Sequence, residues 1–183
     1  MSSNYNEPHN IFAVPIWGFV LSAESYHVKD YIDHILELEK TEPTAKKSNF
    51  GGYQSRDNLN EESIFQELVE TLTTLVNNSV SKKIKITEMW ANVNHYKDCN
   101  GAHVHSGYLS GVFYLKVPEN SGNLILCNPN VRADTTEFRP DNYCIEPKEL
   151  ACIIFPSWLE HYVEPNMSEE PRISMSFNCE ILR

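Results

Sequence analysis

The chain lacks several features that would place it in a familiar class. Its five cysteines form no CxxC spacing, and their odd number leaves one without a partner for a disulfide. This usage is typical of a reducing compartment, where free thiols behave as small apolar groups. No apolar run approaches the roughly 20 residues needed to cross a bilayer, and the polar start MSSNYNEPHN lacks the pattern of a signal peptide. We therefore expect a cytoplasmic protein without a membrane anchor.

Basic residues are also scarce. Fifteen Lys and Arg stand against 25 Asp and Glu, which gives a formal net charge of −10. A field of this sign repels nucleic-acid phosphates and anionic membranes, so it argues against both as partners. The chain contains no internal repeat or low-complexity segment. Its 183 residues predict a single domain that can bury a core without disulfides.

The first half of the chain carries helical periodicity. Apolar residues recur at helical spacing over 28–36 and again over 65–76. Ser22 and Asn60 are candidate N-caps for the two helices that this spacing predicts. The preceding run IFAVPIWGFV indicates a strand or an extended arm interrupted by Pro15.

From residue 84 the pattern changes to that of strands. IKITEMWANVNHY is rich in β-branched and aromatic residues. Turn residues, mostly prolines, separate further strand-like runs at about 108–117, 123–127, 143–146, 151–155, 161–164 and 172–181. Two helices followed by many short strands predict an α+β fold. We expect a helical part at about 20–80 packed on one sheet of a jelly-roll (cupin-like) core at about 84–182, the whole of 1–183 forming one domain.

A pair of histidines, His103 and His105, is the most informative local feature. Residues i and i+2 of a strand point to the same face, so both imidazoles can enter one cavity if Val104 lies mid-strand. His161, from a distant strand, would complete a metal site with open positions. Neutral imidazole is a good ligand for Fe(II), Zn(II), Cu(II) or Ni(II). Alternating histidines also occur by chance on exposed strand faces, so the pair alone leaves both interpretations open.

Arg172 begins the run RISMSF, which is otherwise apolar or small. Strand alternation places Arg172, Ser174 and Ser176 on one face. An arginine on such a strand faces either solvent or a specific anion. Its guanidinium presents a planar fork that pairs with a carboxylate in bidentate fashion. The polar row therefore predicts one side of an anion-binding pocket.

Four segments together resemble a known family: HVHSGYLSGVFYL, SGNLILCNP, FPSWLEHYVEPN and RISMSFN. They are similar to the 2-oxoglutarate and Fe(II)-dependent dioxygenase superfamily, and within it to a bacterial and phage branch. The resemblance covers roughly residues 50–180. It implies a double-stranded β-helix, a His-x-Asp/Glu…His triad that holds iron, and an arginine about ten residues after the last histidine. The 11 residues from His161 to Arg172 fit that spacing.

The resemblance also implies roles for particular residues. His103 matches the first iron ligand, His161 matches the last, and His105 stands where the family usually has the carboxylate. The residues implied for 2-oxoglutarate binding are Arg172, Ser174, Tyr114 and, as a weaker candidate, Tyr96. Both tyrosines are equally compatible with a place in an aromatic core.

The histidine at position 105 changes the charge of the implied site. Two histidines and a carboxylate leave Fe(II) with a net charge of +1, whereas three histidines leave +2. The more positive site favours an anionic cosubstrate and disfavours oxidation of the metal. His105 either ligates directly or stands off and leaves its position to water or an anion. Asp98 and Glu160 are candidate substitute carboxylates, although Glu160 is predicted to point to the opposite face from His161.

The activity implied is oxidation of an organic substrate, most simply hydroxylation, coupled to decarboxylation of 2-oxoglutarate by O2. Two alternatives stay open: a cupin-like three-His metal protein that does not use 2-oxoglutarate, and a noncatalytic structural or phage protein that retains the fold. The polar loop VRADTTEFRPDNY, with Arg132 and Arg139, is either a plain solvated loop or an edge that contacts an anionic substrate. A homo-oligomer stays open, and the location would be the host cytoplasm if a phage encodes the chain.

Overall fold

A computed structural model of the chain describes residues 13–22, 27–130 and 142–182. Two β-sheets face each other, and two helices cover the outer side of the larger sheet. The elements in chain order are β1 (Trp17–Val20), α1 (Val28–Thr41), β2 (Asn49–Phe50), β3 (Tyr53–Gln54), α2 (Gln66–Ser79), β4 (Ile84–Asn94), β5 (Cys99–His103), β6 (Leu109–Lys116), β7 (Leu124–Leu126), β8 (Tyr143–Ile145), β9 (Ala151–Pro156), β10 (His161–Val163) and β11 (Arg172–Ile181).

Both helices are amphipathic and bury one stripe each. α1 buries Tyr31, Ile35 and Leu38, and α2 buries a similar stripe that includes Leu68 and Leu72. Spacings of three and four residues place such side chains on one side of a helix. These stripes join one core cluster with the outer face of the larger sheet. The predicted helices and their packing on one sheet are therefore confirmed.

The predicted helix starts were wrong. α1 begins at Val28, after His27, rather than next to Ser22. Asn60 lies within a short 3-10 turn, Leu59–Glu61, and α2 begins only at Gln66. The two 3-10 turns before α2 bury Leu59 and Phe65 in the core. Burial of these side chains thus sets where α2 begins, in place of a polar cap.

The larger sheet has the strand order β1-β9-β6-β11-β4-β3, and the smaller has β2-β5-β10-β7-β8. Neighbouring strands in both sheets are antiparallel. This arrangement is the predicted α+β jelly roll. Within the described ranges, no helix is long and apolar enough to cross a membrane.

Strand β11 shows how the larger sheet separates the core from the space between the sheets. Ile173, Met175 and Phe177 are buried in the helix-side core. Arg172 and Ser174 alternate with them and point to the inner face, where they line a cavity. One strand of period two therefore supplies both the apolar contacts of the core and the polar wall of the cavity.

The core is so tightly packed at Gly111 on β6 that it leaves no room for a side chain. A Cβ at this position would lie 2.3 Å from the ring of Phe177, which is fully buried. We expect Gly111→Ala to lower the free energy of unfolding by about 1–3 kcal/mol, because the added methyl overpacks the core. Denaturant unfolding followed by circular dichroism measures the change.

Gly18→Ala is the matched control, since Gly18 is also in a strand and an added Cβ would meet only Ile153 at 3.5 Å. It should leave stability unchanged or raise it slightly. Equal stability of the two variants would contradict the packing assigned to Gly111.

Candidate metal centre

Three histidines meet between the two sheets. Strands β5 and β10 pair so that His103 lies directly opposite His161. His105 lies two residues beyond the end of β5, so Val104 is outside the strand and is 56% exposed. The ligand nitrogens of His103, His105 and His161 all lie within 4.8 Å of one another. The described part of the chain thus brings together the three histidines that the sequence predicted as ligands.

Hydrogen bonds orient two of the imidazole rings. Nδ1 of His103 lies 2.7 Å from the Gly101 carbonyl oxygen, and Nδ1 of His161 lies 2.9 Å from that of Leu159. A carbonyl oxygen only accepts, so each Nδ1 carries the proton and donates it. The Nε2 atoms of both neutral rings then carry a lone pair, and that of His161 faces Nε2 of His105. This is the arrangement that metal-binding histidines usually show.

The surroundings also hold the imidazoles in their neutral form. Burial lowers the pKa of His103. Burial, followed by the neighbouring histidines, lowers the pKa of His105 to about 3. Burial is likewise the main cause that lowers the pKa of His161 to about 4. Since a metal ligand must be unprotonated, all three rings are ready to bind a cation at neutral pH.

His105 is placed to act as a ligand itself. Its Nε2 lies 3.2 Å from Nε2 of His161. Two cis ligands at roughly 2.1 Å from one metal ion would be about 3.0 Å apart. The ring of Trp90 lies beside His105, with ring centroids 5.4 Å apart. The main-chain N–H of His105 donates to the carbonyl of Ser157 at 2.9 Å. The geometry therefore fits direct ligation better than a position set back from the metal.

A cavity extends from the histidines along the inner face of the larger sheet. It holds about 530 Å³ of empty space, part of it open to solvent. Arg172, Ser174 and Tyr114 line it together with the three histidines. Within the described ranges, none of its lining residues is acidic. Tyr96 is not among them: it is 43% exposed and lies in the turn between β4 and β5.

Among the described residues, the buried guanidinium of Arg172 has no negative partner. The side chain is 2% exposed. Its Nη1 donates to the carbonyls of Ser121 and Gly122 at 2.7 and 3.2 Å, and its Nη2 donates to Oδ1 of Asn94 at 3.0 Å. These bonds use three of the five N–H groups of the guanidinium. Burial lowers the pKa of Arg172 from its ordinary value, yet an arginine keeps its proton in proteins.

This environment fits an anionic ligand. A buried charge with only neutral partners carries a large desolvation penalty, which a bound carboxylate would offset. Arg172 and the histidines line the same cavity, so an anion held by the guanidinium would share that cavity with a metal ion. Ser121, whose carbonyl accepts from Arg172, also has a buried Oγ that finds no hydrogen-bond partner in the described part of the chain.

Sequence reasoning missed the amide side chains of the cavity. Asn92 and Asn94 follow Trp90 at alternate positions of β4, and all three line the cavity. Asn100 of β5 lines it as well, and its Oδ1 accepts from Nδ2 of Asn94 at 3.4 Å. The period-two spacing of residues 90, 92 and 94 places them on one face of β4. It predicts a cavity wall only once it is known which face of the strand points into the cavity.

The candidate substitute carboxylates lie elsewhere. Oδ2 of Asp98 accepts from the main-chain N–H of His95 at 2.8 Å, in the turn between β4 and β5. Glu160 is exposed and hydrogen-bonds with Cys127. Neither lines the cavity. Arg132 and Arg139 lie outside the described residues.

Comparison with known families now bears on this arrangement. A family model described as "Putative 2OG-Fe(II) oxygenase" matches residues 88–178, about half of the chain. The chain belongs to the 2-oxoglutarate and Fe(II)-dependent oxygenases. The matched range includes the three histidines and Arg172. The predicted activity class and the predicted cofactors, Fe(II) and 2-oxoglutarate, are thereby confirmed.

Solved structures with the same fold confirm the double-stranded β-helix. The epimerase SnoN from nogalamycin biosynthesis aligns with a TM-score of 0.71 at 14% identity, covering 91% of this chain and 78% of its own. The viral collagen prolyl hydroxylase from Paramecium Bursaria Chlorella virus-1 gives 0.64 at 14%, covering 90% and 94%. A Pseudomonas putida prolyl-4-hydroxylase gives 0.66 at 15%, covering 93% of each chain. No curated protein sequence matches the chain.

Removing a histidine tests the metal centre. We expect His103→Ala and His161→Ala each to weaken Fe(II) binding by more than about 100-fold, because losing a ligand costs more than losing its hydrogen-bond partner. If His105 ligates directly, His105→Ala should cause a loss of the same size. Anaerobic Fe(II) titration monitored by tryptophan fluorescence, to which Trp90 beside His105 contributes, measures each affinity.

His95→Ala is the control, since this exposed histidine bonds to Glu39 at the surface, with 2.7 Å between Nε2 and Oε1. It should bind iron as the unaltered protein does. Full iron occupancy in His161→Ala would rule out the proposed ligand set.

Proposed function

We propose that this oxygenase is a hydroxylase whose iron is held by His103, His105 and His161 and whose 2-oxoglutarate is bound by Arg172. The observation that supports this most strongly is the buried guanidinium. Arg172 and the three histidines line one cavity, and no acidic residue of the described part lines it with them. A dicarboxylate with one end at the metal and the other at Arg172 would satisfy both.

The donor set suits Fe(II). Imidazole ligands are common for this metal, and His103, His105 and His161 would hold it while leaving positions for the cosubstrate and O2. Bound iron and 2-oxoglutarate supply the oxidising chemistry, coupling decarboxylation of the keto acid to oxidation of the substrate. The task of the protein is to hold these groups in position and to limit the access of water.

Tyr114 and Ser174 support Arg172 in binding the far carboxylate. They lie opposite each other on β6 and β11, and both line the cavity. Burial raises the pKa of Tyr114 to about 12, with the charge of Arg172 acting in the opposite direction. The phenol therefore keeps its proton at neutral pH and is available to donate a hydrogen bond to an anion. Two hydroxyls and a guanidinium make a donor-rich pocket for an anion.

Direct ligation by His105 makes the site more positive than the usual family centre. Three neutral imidazoles leave the full charge of the metal uncompensated, so attraction for a dianionic cosubstrate is stronger. The same charge makes oxidation of the iron harder. We therefore expect tight 2-oxoglutarate binding together with slow turnover.

The organic substrate approaches from the end of the cavity where Trp90 and His105 lie. Trp90 is paired with Ser176 in the register of β4 and β11, four residue pairs away from the pairing of Asn94 with Arg172. This end is left open when 2-oxoglutarate occupies the Arg172 end. The structural relatives do not identify the substrate, because they include both an epimerase and prolyl hydroxylases.

The extent of the domain and its location stay predictions. α1 and α2 share one core with the larger sheet, which supports treating residues 1–183 as a single oxygenase domain. The cysteine usage and net charge of −10 support a cytoplasmic location and argue against a nucleic-acid partner.

Loss of the guanidinium separates this function from that of a three-His protein that ignores 2-oxoglutarate. Fe(II) and 2-oxoglutarate added anaerobically should give the visible metal-to-ligand charge-transfer band. We expect Arg172→Ala to weaken 2-oxoglutarate binding by more than about 100-fold, because a charge-assisted bidentate contact is lost. Iron affinity should change much less, and this difference is the expected signature.

Arg172→Lys is a second variant in case Arg172→Ala fails to fold. It keeps the positive charge but lacks the planar guanidinium, so it should bind 2-oxoglutarate with intermediate affinity. Arg56→Ala is the matched control: Arg56 pairs with Glu42 and Glu62, away from the cavity. Bound iron without any band in the unaltered protein would contradict the proposal.

A further inference from the structure

One turn touches two of the three histidines. Residues 157–160 connect β9 to β10. The carbonyl of Ser157 accepts the main-chain N–H of His105 at 2.9 Å. Two residues later, the carbonyl of Leu159 accepts from Nδ1 of His161 at 2.9 Å. The position of this turn therefore affects both the path of the chain at His105 and the orientation of the His161 ring.

A buried chain of hydrogen bonds ties this turn to the larger sheet. Oγ of Ser157 lies 2.9 Å from Oγ of Ser110 on β6. Oγ of Ser110 lies 2.8 Å from Oδ1 of Asn178 on β11. Nδ2 of Asn178 lies 2.6 Å from Oε2 of Glu88 on β4. These four residues, here named the Glu88–Ser157 chain, cross three neighbouring strands and end at the turn.

The hydrogen bonds of the Glu88–Ser157 chain all run in one direction, with each group donating toward Glu88. The carboxylate of Glu88 only accepts, so the amide nitrogen of Asn178 donates to it. Oδ1 of Asn178 then accepts the single proton of Ser110, and Ser110 must accept from the hydroxyl of Ser157. A chain with one direction is reinforced by polarisation from link to link. The negative charge of Glu88 fixes that direction.

Burial makes the chain more than an ordinary surface network. Ser157 is fully buried, and Ser110 and Asn178 are 2% and 5% exposed. Desolvating these groups carries a penalty that apolar residues of the same size would avoid. A buried polar network of this kind rigidifies its surroundings once every member has a partner. The part that it rigidifies here is the turn that carries the contacts to His105 and His161.

We propose that the Glu88–Ser157 chain consists of positioning residues that set the metal affinity and geometry of the three-His site. This inference rests on the proposed function. His105 is the ligand with most need of such support, because it lies beyond the ladder of β5. Its main-chain contact with Ser157 joins it to the turn. Displacement of the turn therefore moves His105 and rotates His161 together.

Removing single side-chain hydroxyls from the Glu88–Ser157 chain tests the proposal. We expect Ser157→Ala and Ser110→Ala each to weaken Fe(II) binding by about 10–100-fold, the usual effect of losing a group that orients a ligand. The charge-transfer band with 2-oxoglutarate should also shift or broaden, since the ligand geometry is less uniform. Both readouts are taken alongside denaturant unfolding.

Ser55→Ala is the matched control for a purely structural effect. Ser55 is 1% exposed, and its Oγ accepts from the N–H of Ala91 at 2.9 Å and donates to the Arg56 carbonyl at 2.7 Å. Its loss removes comparable buried hydrogen bonds without touching the turn. If Ser157→Ala and Ser110→Ala alter iron affinity no more than Ser55→Ala does, the proposal is overturned.

Exchanging donor and acceptor between Asn178 and Glu88 gives an independent test of the Glu88–Ser157 chain. Asn178→Asp places a second carboxylate against Glu88 and should break the link, weakening Fe(II) binding as in Ser110→Ala. Adding Glu88→Gln restores a donor for the new acceptor, so the double variant should recover most of the affinity. If the double variant folds as stably as the unaltered protein but does not regain Fe(II) affinity, the positioning role of the Glu88–Ser157 chain is contradicted.

These results distinguish the two proposals. If the unaltered protein binds iron but gives no band with 2-oxoglutarate, the proposed function fails, and the iron affinities still decide the role of the chain. If the band is present but insensitive to Ser157→Ala and Ser110→Ala, the proposed function stands and the positioning role fails.

Discussion

The antiparallel register between β5 and β10 is the constraint on which the candidate site depends. It sets His103 directly opposite His161, and a slip of one residue would turn one imidazole away from the other. His105 then needs only a short extension of the chain beyond β5 to meet them. Other features of the site, including the turn at Ser157 and the cavity wall on β11, are arranged around this pairing.

Charge within the cavity is opposite in sign to the charge of the whole protein. The chain carries a net charge of −10, yet the described cavity wall contains a buried arginine and no acidic residue. The long-range field disfavours approach of a dianion, whereas the local field favours its capture. Selectivity for the cosubstrate therefore arises at short range, from the hydrogen-bond geometry of Arg172 and its neighbours.

Sequence reasoning succeeded where a short period controls the outcome. Alternation on β11 predicted that Arg172 and Ser174 share a face, and both line the cavity. The histidine spacing predicted convergence, which the structure shows, although His105 lies beyond the strand rather than within it. The implied family and fold were confirmed as well. In these cases the decisive information lies within a few residues of sequence.

Predictions were weaker where long-range packing decides. Tyr96 lies only seven residues before His103, but the turn between β4 and β5 carries it to the surface. Polar caps were expected at Ser22 and Asn60, but burial of apolar side chains determines where α2 begins. Asn94 meets Arg172 through the pairing of β4 with β11, and it meets Asn100 across the two sheets. Sequence spacing alone does not encode such contacts.

The hydrogen bonds that Nδ1 of His103 and His161 make to carbonyl oxygens have a consequence for the thermodynamics of metal uptake. Each bond selects one tautomer, and burial already removes the proton from Nε2 at neutral pH. A cation entering the site near neutral pH therefore displaces fewer protons from these two rings than from exposed histidines. Proton displacement then reduces its binding free energy less than at sites whose ligands must first be deprotonated.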